Sequence, residues 1–397
     1  MNRANTYDEI VPLVDFCKKG MLFETQDWIA QGKPVNLPLE LPPRQYKKSP
    51  LRIAMELGFY SLIQILVENG ASLEEPRYSA LERALQKRRF DIVQLLVKNG
   101  ARIDSVSMES VFDTWDKQII TFFIEHGADV QKGYPLEYAL RSKIRTALSI
   151  YLQYKDQFPH FREQIDMALR HHCKEGNLKW VSLLIWAGAD PYVKGPESPG
   201  DPPDEYVSAL ELAALYDHFN VFKLKSIHLD PNSPAAHDLL RNACHSDNAN
   251  ILIELLRNGF KPGLLPDKGT LSIESLINRM PWNYSLYWQR SKTEVNIDDS
   301  HSRDKTKMLH FLIRYGAKWE PGEYGIKSVR RSLLRMSPHY LMEFVWIMTE
   351  YEACSLETLQ QLMNTKSMMA LIAQYRNRYE DMVISFQKSV CQAPSGD

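Results

Sequence analysis

The stretch Gly176-Asn177-Leu178-Lys179-Trp180-Val181-Ser182-Leu183-Leu184-Ile185-Trp186-Ala187-Gly188-Ala189-Asp190 decides the fold. Leu178, Val181, Leu184 and Ile185 recur at helical spacing, so one face of this segment is apolar. Gly188 stands where the helix must end, and glycine enters the left-handed conformation of a helix exit with least strain. Gly176 and Gly188 are twelve residues apart. The same interval separates Gly20 from Gly32 and Gly58 from Gly70, and Arg88 to Gly100 and Asp247 to Gly259 keep it with a polar residue in first place. A fixed interval with variable filling is the mark of a repeat protein.

The frame Ser49-Pro50-Leu51-Arg52-Ile53-Ala54, then Gly58, then Asn69-Gly70-Ala71, resembles the ankyrin repeat. It returns as Ser79-Ala80-Leu81-Glu82-Arg83-Ala84 with Asn99-Gly100-Ala101, and the closing signature recurs at Gly127-Ala128-Asp129 and Gly188-Ala189-Asp190-Pro191. Local chemistry agrees. Ser49 can N-cap a helix begun by Pro50, whose missing donor would be orphaned at that position anyway. Ala54 and Ala84 suit a close approach of neighbouring helices, and Leu51 and Leu81 suit the shared core. One such unit cannot bury its apolar face alone, so stacking is obligatory. The expected fold is all-α, an ankyrin-like helical repeat solenoid of about nine units with a helical C-terminal cap.

Composition sets bounds. The 397 residues are 44% apolar with a formal net charge of −1, which gives no basic footprint for general nucleic-acid binding. No apolar run is long enough to span a bilayer and the first nine residues are polar, so a cytoplasmic protein is expected. Cys17, Cys173, Cys244, Cys354 and Cys391 are scattered, odd in number and free of Cys-x-x-Cys spacing, as reduced buried thiols would be. The sequon at Asn283 is then incidental.

In chain order, residues 8–36 read as a worn capping repeat, and 37–48 as a proline-rich finger loop. Repeats two and three cover about 49–106. The fourth carries Val111, Trp115, Ile119, Ile120, Phe123 and Gly127 without the small residue of its first helix, so irregular packing is expected there. The fifth opens at Tyr134-Pro135 but lacks a closing glycine near Tyr154. The sixth leads into 195–207, whose proline and glycine content marks an exposed insertion. The seventh begins at Ser208, and the eighth contains Ala243 and Gly259. The ninth is split by an insertion at 281–304. The array is expected to span 1–319, with a cap or small module at 320–390 and a disordered tail at 391–397. Ser337-Pro338 and Ser355 with Glu357 are helix-start signals in the cap.

Phosphate-binding glycine loops, metalloprotease histidine pairs, zinc knuckles, nucleophile elbows and calcium loops are missing from the sequence. His171 and His172 are adjacent, hence about 100° apart on a helix, and His172 holds the place before Gly176 that Ala54 holds before Gly58, so packing is expected of it rather than metal binding. Lys327, Arg330, Arg331 and Arg335 read as a solvated helix face. No cofactor, metal or small-molecule substrate is expected.

What remains is a binding surface. Tyr46, Tyr78, Tyr134 and Tyr206 each fall just before the start of a first helix, and tyrosine is enriched in interaction hot spots. The resemblance implies that finger tips and the inner face of the first helices bind partners. At the position after the first-helix leucine, the family's histidine is replaced by Arg52, Glu82, Glu137 and Glu211, which would give a groove charged, partner-specific character unless they pair internally, as Arg52 could with Glu82. Trp282, Tyr284, Tyr287 and Trp288 put four large rings in the insertion, to be folded back or docked on another molecule. The expected function is non-catalytic binding of a partner protein as adaptor, inhibitor or neutralising factor. The competing class is an enzyme or toxin with a dispersed site in the C-terminal helices or the insertion, around His301, Asp304 and His310; nucleic-acid binding near Arg330 is a third reading.

Overall fold

The computed structural model describes residues 3–39, 47–76, 78–203, 206–245, 249–262, 308–309, 311–319, 323–333, 344, 348 and 351–363. Tyr46, Trp282, Tyr284, Tyr287, Trp288, the 281–304 insertion, Ser337-Pro338, His301, Asp304, His310 and the 391–397 tail lie outside the described residues. The chain divides into two compact units, Met1–Ala168 and Leu169–Asp397.

The first unit pairs α1 (Tyr7–Lys19) with α2 (Leu22–Ala30), α3 (Pro50–Leu57) with α4 (Tyr60–Glu68), and α5 (Ala80–Gln86) with α6 (Phe90–Lys98). Two further pairs are α7 (Met108–Phe112) with α8 (Lys117–Glu125), and α9 (Pro135–Arg141) with α10 (Arg145–Tyr154). First helices pack on first helices from α1 to α9, and second helices on second helices from α2 to α10, giving two layers with one core. Helix α11 (His160–Lys174) contains the division. In the second unit α12 (Leu178–Ala187), α14 (Phe219–Phe222) and α16 (Ala249–Arg257) form one row, and α13 (Ala209–Leu215) packs on α15 (Ala236–His245) in the other. The helices Glu323–Leu333 and Leu356–Met363 pack on each other beyond them.

Local chemistry explains the helix ends. Ser49 Oγ accepts from the Arg52 amide at 3.1 Å with Pro50 in the first turn, and Ser79 and Ser107 cap α5 and α7 in the same way. Such caps are each worth about 1 kcal/mol. At the far end of the second helices, Asn69, Asn99 and Asn258 donate through Nδ2 to the carbonyls of Ile65, Leu95 and Glu254, and His126 does so through Nδ1 to Phe122 at 2.7 Å. Leu51, Ala54, Leu81, Ala84, Leu136, Ala139, Leu210 and Ala213 are all buried in the core. His172, at the equivalent small-residue position, is fully buried and stacks on Trp180 at 5.4 Å.

The turn between the two helices of a repeat always uses a left-handed residue in the first seven repeats. Glycine serves at Gly20, Gly58 and Gly176, but the same conformation is held by Arg88 (φ 54°), Trp115 (φ 57°), Lys143 (φ 65°) and Asp217 (φ 61°). For residues with a Cβ this geometry costs about 1–2 kcal/mol each. Trp115, one of the residues that mark the fourth repeat in the sequence, is such a turn residue and is 58% exposed. Helix α7 stops after five residues, so the irregularity expected of the fourth repeat takes the form of a truncated first helix.

Candidate binding surface

The second and third repeats are joined by a finger. Strands β1 (Glu74–Glu75) and β2 (Tyr78–Ser79) pair antiparallel with Glu75 opposite Tyr78, and the Ala80 amide donates to the Leu73 carbonyl at 2.9 Å below them. Ser79 Oγ donates to Glu74 Oε1 at 2.8 Å while also capping α5, so the finger is anchored to the helix it precedes.

Beside this finger the structure brings together Arg52 and Tyr78 from the sequence-derived set. The Arg52 guanidinium lies 4.7 Å from the Tyr78 ring centroid, a cation–π contact, and its Nε donates to Glu56 Oε1 at 3.2 Å. Lys48 Nζ holds the other Glu56 oxygen at 2.6 Å. Burial pulls the Glu56 carboxyl upward, but hydrogen bonds and charge from Lys48 and Arg52 outweigh it and leave the group below the ordinary carboxylate range. Glu75 goes the other way. Burial raises its pKa, and the Ser49 hydroxyl with the charges of Arg52 and Arg3 only partly offsets this. Burial, with the nearby Glu75 carboxylate, also pushes the Tyr78 phenol up.

Among the described residues, Glu75 Oε1 and Tyr78 Oη are buried without a hydrogen-bond partner. A buried polar atom left unpaired costs about 1–3 kcal/mol, and the two residues are opposite each other in the register of the finger. Sequence reading missed Glu75. The available signal was the short spacing of Glu75 and Tyr78 about Pro76, which a hairpin turns into a cross-strand pair.

The other sequence-derived residues are dispersed. Glu82 is exposed on α5. Tyr134 is half-buried and left-handed (φ 53°), with no side-chain cap of its own for α9. Tyr206 is half-buried beside Val207, whose amide and carbonyl pair with Gly195 at 3.2 Å and close the base of the 195–207 insertion. Arg170, itself buried, braces that base by donating from Nε to the Pro196 carbonyl at 2.8 Å and from Nη1 to the Val193 carbonyl at 3.3 Å.

Two expected groove charges are corrected. Glu137 is 4% exposed and Glu211 1% exposed, so neither presents its carboxylate to a partner. Glu211 closes a capping box: its Oε2 accepts from the Ser208 amide at 2.6 Å while Ser208 Oγ accepts from the Glu211 amide. Its Oε1 accepts from Asn242 Nδ2 at 3.3 Å and lies 3.5 Å from Lys194 Nζ. Among the described residues Glu137 has only the distant Arg141 Nη1, at 4.0 Å, and burial raises its pKa despite that charge. Stacking explains Glu211, whose carboxylate meets Asn242 of the next first helix.

Among the described residues no group of three or more His, Cys, Asp or Glu is placed to hold a metal ion, and no helix is long and apolar enough to cross a membrane. Among the described residues Cys17, Cys173, Cys244 and Cys354 form no disulfide, and burial pushes Cys17 up to about 12.

The chain matches no family model and no curated protein. Among solved structures it is similar to the ankyrin repeat domain of Bcl-3, described as a unique member of the IkappaB protein family, at 19% identity and TM-score 0.37 over 51% of this chain and 93% of that one. It is also similar to the human ASB11 ankyrin repeat domain at 17% identity and TM-score 0.22, over 66% and 90% of the two chains. Those values are low, and the fold rests on the chain's own geometry of Ser-capped first helices, left-handed turns, Asn-Gly exits and a two-stranded finger. By that geometry it is an ankyrin-like repeat protein.

Proposed function

We propose that the chain is a non-catalytic protein-interaction module, acting in the cytoplasm as an adaptor, inhibitor or neutralising factor, and that the finger side of its first unit grips a partner protein. The observation that supports this most is the incomplete polar network of the Glu74–Ser79 finger. Glu75 Oε1 and Tyr78 Oη are buried and unpaired beside the Arg52 guanidinium, an arrangement that a donor and an acceptor from a partner would complete. Glu82, exposed on α5 next to that finger, extends the surface with charge. Tyr134 and Tyr206, half-buried before α9 and α13, are further contact candidates. Tyr46 and the rings Trp282, Tyr284, Tyr287 and Trp288 belong to the same proposal on sequence grounds, as does the division into an array at 1–319 and a cap at 320–390. The free thiols accord with a reducing compartment.

Capture of partners from native-host lysate tests the reading with three baits: the intact chain, Arg52→Ala/Tyr78→Ala, and Trp282→Ala/Trp288→Ala. A stoichiometric protein lost with the finger variant supports the finger contact. Loss with the tryptophan variant alone transfers the contact to the insertion, and a partner retained by both variants contradicts the surface.

A further inference from the structure

The left-handed turns of the third, fourth and fifth repeats hold a second surface, at the opposite end of the first helices from the fingers. Arg88, Trp115 and Lys143 occupy one equivalent turn position in successive repeats. Arg88 places its guanidinium 5.1 Å from the Trp115 ring centroid, and Thr146 Oγ1 donates to the Trp115 carbonyl at 2.9 Å, so the three turns adjoin. Glycine would fill each position without strain, as it does at Gly20 and Gly58, yet here the chain keeps long or bulky side chains in a conformation that disfavours them. A side chain held against its own backbone preference points to a use for that side chain.

The charge of this edge is one-sided. Across residues 87–91, 113–117 and 141–145 seven cations stand against three carboxylates. Each carboxylate is already engaged: Asp91 takes both hydrogen bonds of the Arg89 fork, Asp113 accepts from the Tyr138 hydroxyl at 3.4 Å, and Asp116 caps α8 through the Gln118 amide. Arg88, Lys143 and Arg145 are exposed and form no ion pair among the described residues. At their centre Trp115 offers an apolar face.

We propose that this Arg88–Trp115–Lys143 edge docks an acidic segment of a partner protein, with carboxylates beside the cations and an apolar side chain against Trp115. Neighbouring first helices pack about 8–10 Å apart, so three turns span about 20 Å, the length of about six extended residues. A single-stranded nucleic acid is the weaker fit, because such sites stack successive bases on several rings, whereas within these three turn segments Trp115 is the exposed ring and Phe90 is half-buried. The site is independent of the finger surface and stands or falls separately from it.

The test uses the full chain and a fluorescein-labelled octapeptide of alternating Glu and Phe, with its Gln-for-Glu counterpart and an oligo-dT of matched length. The key variant combines Arg88→Gly, Trp115→Gly and Lys143→Gly, which removes the side chains while suiting the left-handed backbone, so its thermal unfolding midpoint should not fall. The intact chain should bind the Glu peptide, with affinity lower by about tenfold or more in the triple-glycine variant and for the Gln peptide, and unchanged in Tyr78→Ala. Equal binding by the triple-glycine variant, no binding by the intact chain, or preference for oligo-dT would each overturn the proposal.

Discussion

Gln164 caps a helix that belongs to another repeat: its Oε1 accepts from the main-chain amide of Leu136 at 2.9 Å and from that of Glu137 at 3.2 Å. Tyr134, at the N-cap of α9, supplies no side-chain acceptor, so this buried amide does the work that Ser49 and Ser79 do locally elsewhere. Its Nε2 also donates to the Val130 carbonyl at 3.3 Å. Gln164→Ala strands two amides in the core and should cost about 2–4 kcal/mol by urea unfolding. A loss below about 0.5 kcal/mol would mean that water replaces the cap.

Glu137 makes stability depend on pH. Burial raises its folded pKa above the ordinary 4.5, so the folded chain holds this proton more tightly than the unfolded chain does. The stability that this site contributes is therefore complete below pH 4.5 and lost as pH rises through the raised folded value. Glu137→Gln should stabilise the chain at neutral pH by about 1 kcal/mol, with the gain shrinking toward zero below pH 4.5. Parallel unfolding curves with a pH-independent offset would refute the assignment.

Gly176 is constrained twice, by its φ of 64° and by the His218 ring, whose Nδ1 would stand 2.5 Å from an added Cβ. His218 Nε2 donates to the Lys174 carbonyl at 2.7 Å, which fixes the ring there. Gly176→Ala should cost about 2–4 kcal/mol, against about 1 kcal/mol for Gly58→Ala, where φ is 80° and nothing lies within 4 Å of the added atom. Equal losses, measured by calorimetry, would remove His218 from the account.

Arg170 should hold the base of the 195–207 insertion. In Arg170→Ala the carbonyls of Val193 and Pro196 lose their donor, and limited proteolysis should cut within 195–207 several-fold faster while the far-UV spectrum stays that of the intact chain. Unchanged cleavage would show that the Gly195–Val207 pairing suffices alone.

The fold was legible in the sequence wherever a local rule governs it. Ser49-Pro50 and Ser79 start helices as caps, Gly188 (φ 106°) ends one in the left-handed region, and Ala54 and Ala84 lie in the core as small residues at helix crossings should. What was illegible depends on neighbours. Trp115 was named only as part of the fourth repeat, yet the turn before α8 holds it in the left-handed conformation and its ring is exposed. Glu137 and Glu211 read as groove charges because carboxylates favour water, but both are buried, Glu211 against Asn242 of the next first helix. The cap from Gln164 is a tertiary relationship with no local signature, whereas the pairing of Glu75 with Tyr78 had only their short spacing about Pro76 to announce it.

A photo-crosslinking residue placed at Glu82 or, on the second helix α6 of the same repeat, at Gln94 reports whether the finger side receives a partner. Both positions are exposed, so both report on what approaches them. If the finger side does receive a partner, one dominant protein should crosslink in native-host lysate from Glu82 and little from Gln94, and the Glu82 product should be lost when Tyr78→Ala is added. Equal labelling from the two positions, or a Glu82 product indifferent to Tyr78, would contradict it.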